Sequence, residues 1–512
     1  MGSNRRHITW KNFHRWAGLI VAVFMLLFCF SGIILNHRDA FAGAEVSRTL
    51  LPASYKIKNY NNGIIRGTTK IGNDSLLAFG SCGIWHTDTN LDHVSDFNTG
   101  LPNGVDRRNV RNIVTDSGNN IWCGTQYGLY RLTPKGWNSV ELPDNSERIS
   151  DVTISPDGTG VVVVTRSKLY TVNKNDISSY TLTAPDNGEN KVSLFKTIWH
   201  LHSGDLFGLI GKIVVDIIAV ILVFLSLTGI ILFIFPYWFK RLRQKRGEGK
   251  KNYSEAIKLY KWNFRWHNLI GYLSFVLTAV IIFTGMCLRP PLMIPFVMVK
   301  TAPLYGSTLD NDNYWHDKLR AVRWDSESGK WLLYTSDGFY TIENFEDAPV
   351  AIPVDKAPVV SPMGINAFFN ESPGIWVIGS FSGICRWKPA EGICYDYYDN
   401  SPIDRSHHRS YGVGDNLVCG YSTDTPTPVV FDYSKGTSEL APMNPMLEKQ
   451  PMSLWNFALE LHVGRCYSPF LGPFSDLFVF IAGSIILLVV LSGYILSRRQ
   501  KKSLNKSNHK SL

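Results

Sequence analysis

Eight cysteines are scattered through the 512 residues, yet no CxxC and no CxxCH occurs, which argues against a zinc ribbon and against covalent c-type haem. No phosphate loop, Rossmann glycine run or catalytic triad appears where its context would require. Charged residues are sparse at 18%, against 45% hydrophobic. At this length the average conceals more than one kind of structure.

What is present divides sharply. Four apolar runs, roughly 14–36, 207–235, 268–288 and 474–496, each reach about 20 residues, enough at about 1.5 Å per residue to cross a hydrocarbon core. Between them lie two polar, aromatic-rich blocks, about 38–200 and 290–460. The N-terminal segment with Arg5, Arg6, Lys11 and Arg15, the loop "KRLRQKRGEGKKNYSEAIKLYKWNFR" and the tail "RRQKKSLNKSNHK" hold 20 of the 52 Lys and Arg but only Glu248 and Glu255 of the acids. The positive-inside rule then puts both termini and the short middle loop in the cytoplasm and both large blocks outside. The basic excess belongs to the membrane surface, so no nucleic-acid partner is expected. "AFAGAE" after the first run has the small residues of a signal-peptidase site. However, that run is longer than the usual h-region of about 7–15 residues, so it reads as a retained helix.

The runs repeat. "HRWAGLIVAVFMLLFCFSGIIL" lies over "HNLIGYLSFVLTAVIIFTGMCL", matching His14 to His267 and Ser31-Gly32 to Thr284-Gly285 without a gap. "LHSG" at 201–204 matches "LHVG" at 461–464, and Thr228-Gly229 matches Ser492-Gly493 after a four-residue insertion. The expected class is membrane α + β: four transmembrane helices as two parallel span–loop–span repeats, related by a pseudo-twofold axis along the membrane normal. The Ser/Thr-Gly pairs read as small surfaces for close helix approach. The expected order is tail and first helix 1–37, blade-like block 38–200, second helix 201–238, cytoplasmic loop 239–262, third helix 263–290, second block 291–460, fourth helix 461–497 and tail 498–512.

The outer blocks repeat in their own way. "LLAFGSCGIWHTD", "IWCGTQYGLYRL" and "VVVVTRSKLYTVN" in the first resemble "WLLYTSDGFYTIE", "IWVIGSFSGICRW" and "LVCGYSTDTPTPVVFDY" in the second. Gly83, Gly128 and Lys168, then Gly338, Gly383 and Pro428, mark hairpins 40–45 residues apart. That period with hairpin chemistry predicts one β-propeller-like domain of about six blades, closed from both loops because separate halves would leave open sheet edges.

The topology places His14 and His267 at cytoplasmic helix mouths and His202 and His462 at outer ones. Twofold partners face each other across one space, and two facing imidazoles are the axial set of a b-type haem. Two haems are expected, about 20–30 Å apart in ligand height. An isolated interfacial histidine is more often an amphipathic anchor; recurrence at four matched positions favours ligation. His37 and His200 lack repeat partners and are weaker candidates: second-shell groups, substituted ligands or exposed residues. Asp216, ten residues into the second span, should face the bundle interior and either relay protons or bond another helix. His407 and His408 read as a solvated loop pair or a ligand contact. Cys385 and Cys394 could pair or stay as thiols. The sequence points to no catalytic side chain.

At "FHRWAGL", "LHSG", "WHNLIGY" and "LHVG" the chain resembles the PepSY-associated transmembrane family of bacterial inner-membrane proteins, across its four spans. The resemblance implies iron acquisition, with haem-containing reductases of periplasmic ferric siderophores as the model, and haem bound by His14, His202, His267 and His462. It departs outside the membrane, where family members often carry PepSY-type α/β modules. The reading is a transmembrane oxidoreductase of the ferric-chelate reductase type, reducing a periplasmic ferric siderophore or similar chelate. The short cytoplasmic segments hold no flavin or nicotinamide domain, so electrons come from membrane quinol or a separate donor. The propeller's axial mouth, with its aromatics and the Arg405–Arg409 region, is the expected docking surface. The rival is a non-enzymatic propeller sensor or partner-binding module on a four-helix anchor.

Overall fold

A computed structural model describes residues 2–144, 147–173, 176–186, 188–244, 250–403, 414–440 and 442–508. His407, His408 and the Arg405–Arg409 region lie outside the described residues. The chain divides into two compact units: Met1–Phe41, Asn190–Asp310 and Trp455–Leu512 in one, Ala42–Glu189 and Asn311–Leu454 in the other.

The first unit is helical. Its main helices are α1 (Gly2–Asn36), α2 (Leu194–Ser203), α3 (Gly208–Gln244), α4 (Lys250–Leu273), α5 (Phe275–Cys287), α6 (Leu454–His462) and α7 (Ser475–Asn508). Among the described residues three stretches are long and apolar enough to cross a membrane: Thr9–Asn36, Asp205–Arg241 and Arg465–Arg498. The third run of the sequence is not one straight helix. It breaks between Leu273 and Phe275 with a bend of 66°, making a fourth crossing only if the two pieces count as one. At the break the Ile270 carbonyl accepts both the Ser274 N–H and the Ser274 hydroxyl, each at 2.9 Å. Val21, Met25 and Cys29 of α1, Ile218 and Leu222 of α3, Ile282 and Met286 of α5 and Ile486 of α7 form the bundle's apolar core.

The second unit is built of antiparallel sheets. Those over 67–96, 110–140, 151–180, 319–351 and 365–396 have four strands each in sequence order, and the one over 418–432 has two among the described residues. The expected hairpin positions Gly83, Gly128, Lys168, Gly338 and Gly383 each stand at, or one residue before, the start of a sheet's third strand, and Pro428 stands one residue before the second strand of the sixth sheet. The middle strands are buried on both faces, and the period of two explains why they read as continuous apolar runs. In Val161–Val164 the odd residues pack toward the second sheet, with Trp122 and Leu129. The even ones pack toward the fourth, with Trp315 and Leu333. Likewise Cys123 and Tyr130 face the first sheet's Leu77, Phe79 and Ile84. Cys82 and Trp85 of the first sheet share a core with Val429 and Phe431 of the sixth.

Hydrogen bonds repeat this adjacency along the first strands. Thr69 Oγ1 donates to the Ile113 carbonyl (2.8 Å) and Asn112 Nδ2 to that of Val152 (2.9 Å). Arg323 pairs with Asp151 and sends its Nε to the Phe368 carbonyl (2.9 Å). Asn366 Nδ2 donates to the Val418 carbonyl (2.9 Å), and Thr68 Oγ1 lies 2.6 Å from Ser422 Oγ. Cys385 and Cys394 are buried in one cluster of the fourth and fifth sheets, both as thiols rather than a disulfide.

Candidate functional site

Two pairs of imidazoles meet inside the helical unit. His14 on α1 and His267 on α4 have ring centres 6.2 Å apart. His202 near the end of α2 and His462 at the end of α6 have ring centres 6.1 Å apart. The LHxG motif explains how the second pair is presented. Each short helix ends at a left-handed glycine, Gly204 at φ 79° and Gly464 at φ 82°, which turns the chain into the following apolar helix just after its histidine. On α1, His14 and the residue that contacts His462, Ser31, are 17 positions apart, so the two pairs are separated by about 25 Å along that helix.

Each ring rests on a Ser/Thr-Gly pair of a different helix. His14 Nδ1 lies 2.9 Å from Ser492 Oγ, and Gly493 faces its Cε1. His462 Nδ1 lies 2.9 Å from Ser31 Oγ, with Gly32 at its edge. His267 Nδ1 lies 2.8 Å from Thr228 Oγ1 over Gly229, and His202 Nδ1 lies 3.1 Å from Thr284 Oγ1 over Gly285. The sequence reading took these dipeptides for helix-packing surfaces and missed this role. The exchange is reciprocal, α1 with the LHVG–α7 segment and the LHSG–α3 segment with α4–α5, and it obeys the repeat seen in sequence.

The hydroxyls also fix the tautomer. A serine or threonine has one proton to give. Here it goes to a backbone carbonyl one turn earlier: Leu27 for Ser31 (2.7 Å), Phe224 for Thr228 (2.7 Å), Val280 for Thr284 (2.8 Å) and Val489 for Ser492 (2.7 Å). With its hydroxyl partner already donating, each imidazole is placed to donate Nδ1–H to it. The carbonyls of Val489 (3.0 Å from His14) and Ile281 (3.1 Å from His202) require the same proton. Nε2 is left with the lone pair that a metal takes, and a fixed Nδ1–H contact is the usual outer shell of a ligating histidine.

Two metal–imidazole bonds of about 2 Å each would set the ring centres of an axial pair about 6 Å apart, as in both pairs here. Among the described residues no group of three or more His, Cys, Asp or Glu converges on one point. Two histidines alone fit a metal whose remaining positions are filled by a macrocycle. The weaker candidates do not join either pair. His37 Nε2 bonds Asp216 Oδ2 at 2.7 Å, linking α1's end to α3, and Asp216 Oδ1 is buried without a partner. His200 Nδ1 stands 3.7 Å from Asp205 Oδ2, and its ring lies against Trp199.

A family model described as the PepSY-associated TM region matches residues 11–499. The chain belongs to this family. The match spans nearly the whole PepSY-associated chain, all four histidines included, and makes it a multi-pass membrane protein with the lipid bilayer as a partner. No curated protein matches it. Among solved structures, the extracellular domain of a hybrid two-component system from B. thetaiotaomicron is 11% identical with a TM-score of 0.31, the alignment covering 73% of this chain and 39% of that one. Dihydro-heme d1 dehydrogenase NirN in complex with DHE is 10% identical with a TM-score of 0.27, covering 71% and 50%. The PepSY-associated chain thus spans half or less of the length of either.

Proposed function

We propose that this protein carries electrons across a bacterial inner membrane through two b-type haems and reduces a ferric chelate of the siderophore type on the periplasmic side. The observation that carries the reading is the double pair of imidazoles, each ring with Nδ1–H committed to a hydroxyl and Nε2 left for a metal. His14 and His267 would hold one haem and His202 and His462 the other; haem supplies the one-electron chemistry when bound. The protein's own part is to hold the rings in one tautomer and to keep the space between the layers apolar, through Val21, Met25, Ile218 and Ile486.

In this reading four crossings place both termini in the cytoplasm, with α4 and α5 serving as one bent span. The six hairpin sheets of the second unit are the blades of one periplasmic propeller, supported by the core that the first and sixth sheets share. Reduction of the metal to Fe(II) weakens a hard-oxygen chelator's hold and releases it. Membrane quinol or a separate protein supplies the electrons. A sensor or partner-binding module on a helical anchor has no use for four histidines with matched tautomers.

The test is spectroscopic. Protein purified in detergent from haem-replete cells should give a reduced-minus-oxidised spectrum of low-spin bis-histidine haem. His14→Ala and His267→Ala should remove one spectral component, and His202→Ala and His462→Ala the other. A colourless preparation would overturn the electron-transfer reading. Loss of the same component in all four variants would leave a single site.

A further inference from the structure

We propose that Arg289 anchors a carboxylate of the macrocycle held between His202 and His462, which makes it a binding residue of the outer site. This rests on the haem reading above.

Gly285, which cradles His202, lies in the last turn of α5, and Arg289 follows four residues later, just past the helix end at Cys287. The guanidinium is largely withdrawn from the surface, with 17% of the side chain exposed. Its Nη2 donates to Asp476 Oδ1 at 2.7 Å, but Nε is buried and has no acceptor among the described residues. The charges of Arg465 and Glu460 act on it, so it also adjoins the segment that carries His462. Arg289 therefore stands beside the support of His202 and the segment that carries His462.

A guanidinium presents five N–H donors and no acceptor, and burying one of them unpaired is costly. The negative end of α5 offers favourable charge but does not satisfy a particular N–H. Nearby Arg465 is already taken, its Nε lying 2.9 Å from Glu460 Oε2. The repeat makes the contrast sharper. Asn36 occupies the matching place four residues beyond Gly32, and its Nδ2 donates to the Ser203 carbonyl at 3.1 Å. Of the two positions related by the repeat, only one is a cation with a donor to spare. A b-type haem carries both its carboxylates on one edge, so a single arginine breaks the twofold equivalence and selects the edge that faces α5.

The experiment compares haem b with its dimethyl ester, which keeps the macrocycle and iron but removes the negative charges. Apo full-length protein carrying His14→Ala, so that only the outer site loads, is titrated with each in detergent. A charge-assisted hydrogen bond predicts roughly ten- to a hundredfold weaker binding of the ester. Arg289→Gln should bring haem down to the ester's affinity and leave the ester unchanged, while Arg289→Lys should recover part of the difference. Equal binding of haem and ester before any change at 289 overturns the anchor and leaves the haem reading intact. A chain that takes up neither macrocycle overturns the haem reading and the anchor together.

Discussion

At the residue scale the decisive contacts are those at the four ring edges, and they are not equally tight. A Cβ at Gly285 or Gly493 would lie 2.9 Å from the Cε1 of His202 or His14, whereas one at Gly32 or Gly229 would lie 3.4 or 3.5 Å from its ring. Gly285→Ala and Gly493→Ala should therefore displace their histidines and lower haem occupancy by about 10–100-fold, the usual cost of disturbing a ligand's outer shell. Gly32→Ala and Gly229→Ala should lose far less. The haem-to-protein ratio of each variant checks the order, and an equal loss at all four would contradict it. The hydroxyls rank as well. His14 and His202 have a carbonyl as a second acceptor for Nδ1–H, while among the described residues His267 has Thr228 alone. Thr228→Val should free its ring more completely than Thr284→Val or Ser492→Ala, seen as broadened or shifted bands of the inner component. The histidines were legible because duplication wrote each twice. Their supports were not, because Ser492 and Ser31 lie 478 and 431 positions from the rings they hold. The same distance problem hid the His37–Asp216 bond, though both residues stood out singly.

At the scale of elements, strand period and hairpin chemistry located the six sheets that carry the repeated hairpins, because a two-sided strand must be apolar at every position and its turn must contain a residue that permits it. They did not locate the two-residue pairings of Glu45–Val46 with Met452–Ser453 and Val192–Ser193 with Lys300–Thr301. The break in the third span escaped notice, since the run stays apolar across it and hydropathy does not report a bend. The contacts between sheets were equally invisible, and one of them carries charge. Arg323 of the fourth sheet and Asp151 of the third are buried together, Arg323 Nη2 lying 3.3 Å from Asp151 Oδ1, and they join strands from the two halves of the chain. Removing one partner strands the other charge in the core. Arg323→Met alone should cost about 3–5 kcal/mol, read as a lowered thermal midpoint of the full-length protein. Asp151→Leu combined with Arg323→Met should recover much of that loss, because an apolar pair leaves no buried charge unmatched. A double variant no better than the single one would mean that the pair does more than neutralise itself.

At the scale of the molecule, the helical repeat and the sheet repeat have the same halves, and the question is whether the two halves of the sheet unit can stand apart. The first half ends in a third sheet whose Val162, Val164 and Leu169 pack with Trp315, Leu319 and Leu333 of the second half. It begins with a first sheet whose Cys82 and Trp85 pack with Val429, Phe431 and Leu447, again of the second half. Cutting the block in two would therefore bare two apolar faces on each piece. Fully burying each such side chain is worth about 1.5–3 kcal/mol, and a few of them outweigh the whole stability of an ordinary domain. Sheets with bared faces and unpaired edges also tend to associate wrongly. Residues 44–196 and 300–455 expressed separately should thus be unfolded or aggregated, and co-expressed they should purify as one complex with the circular dichroism of folded sheet. Two fragments that each unfold cooperatively alone and ignore each other would refute the composite propeller. Success would tie the outer domain to the membrane repeat: a block that closes only from both loops holds the two halves of the chain together, and with them the two histidines of each pair, which also come one from each half.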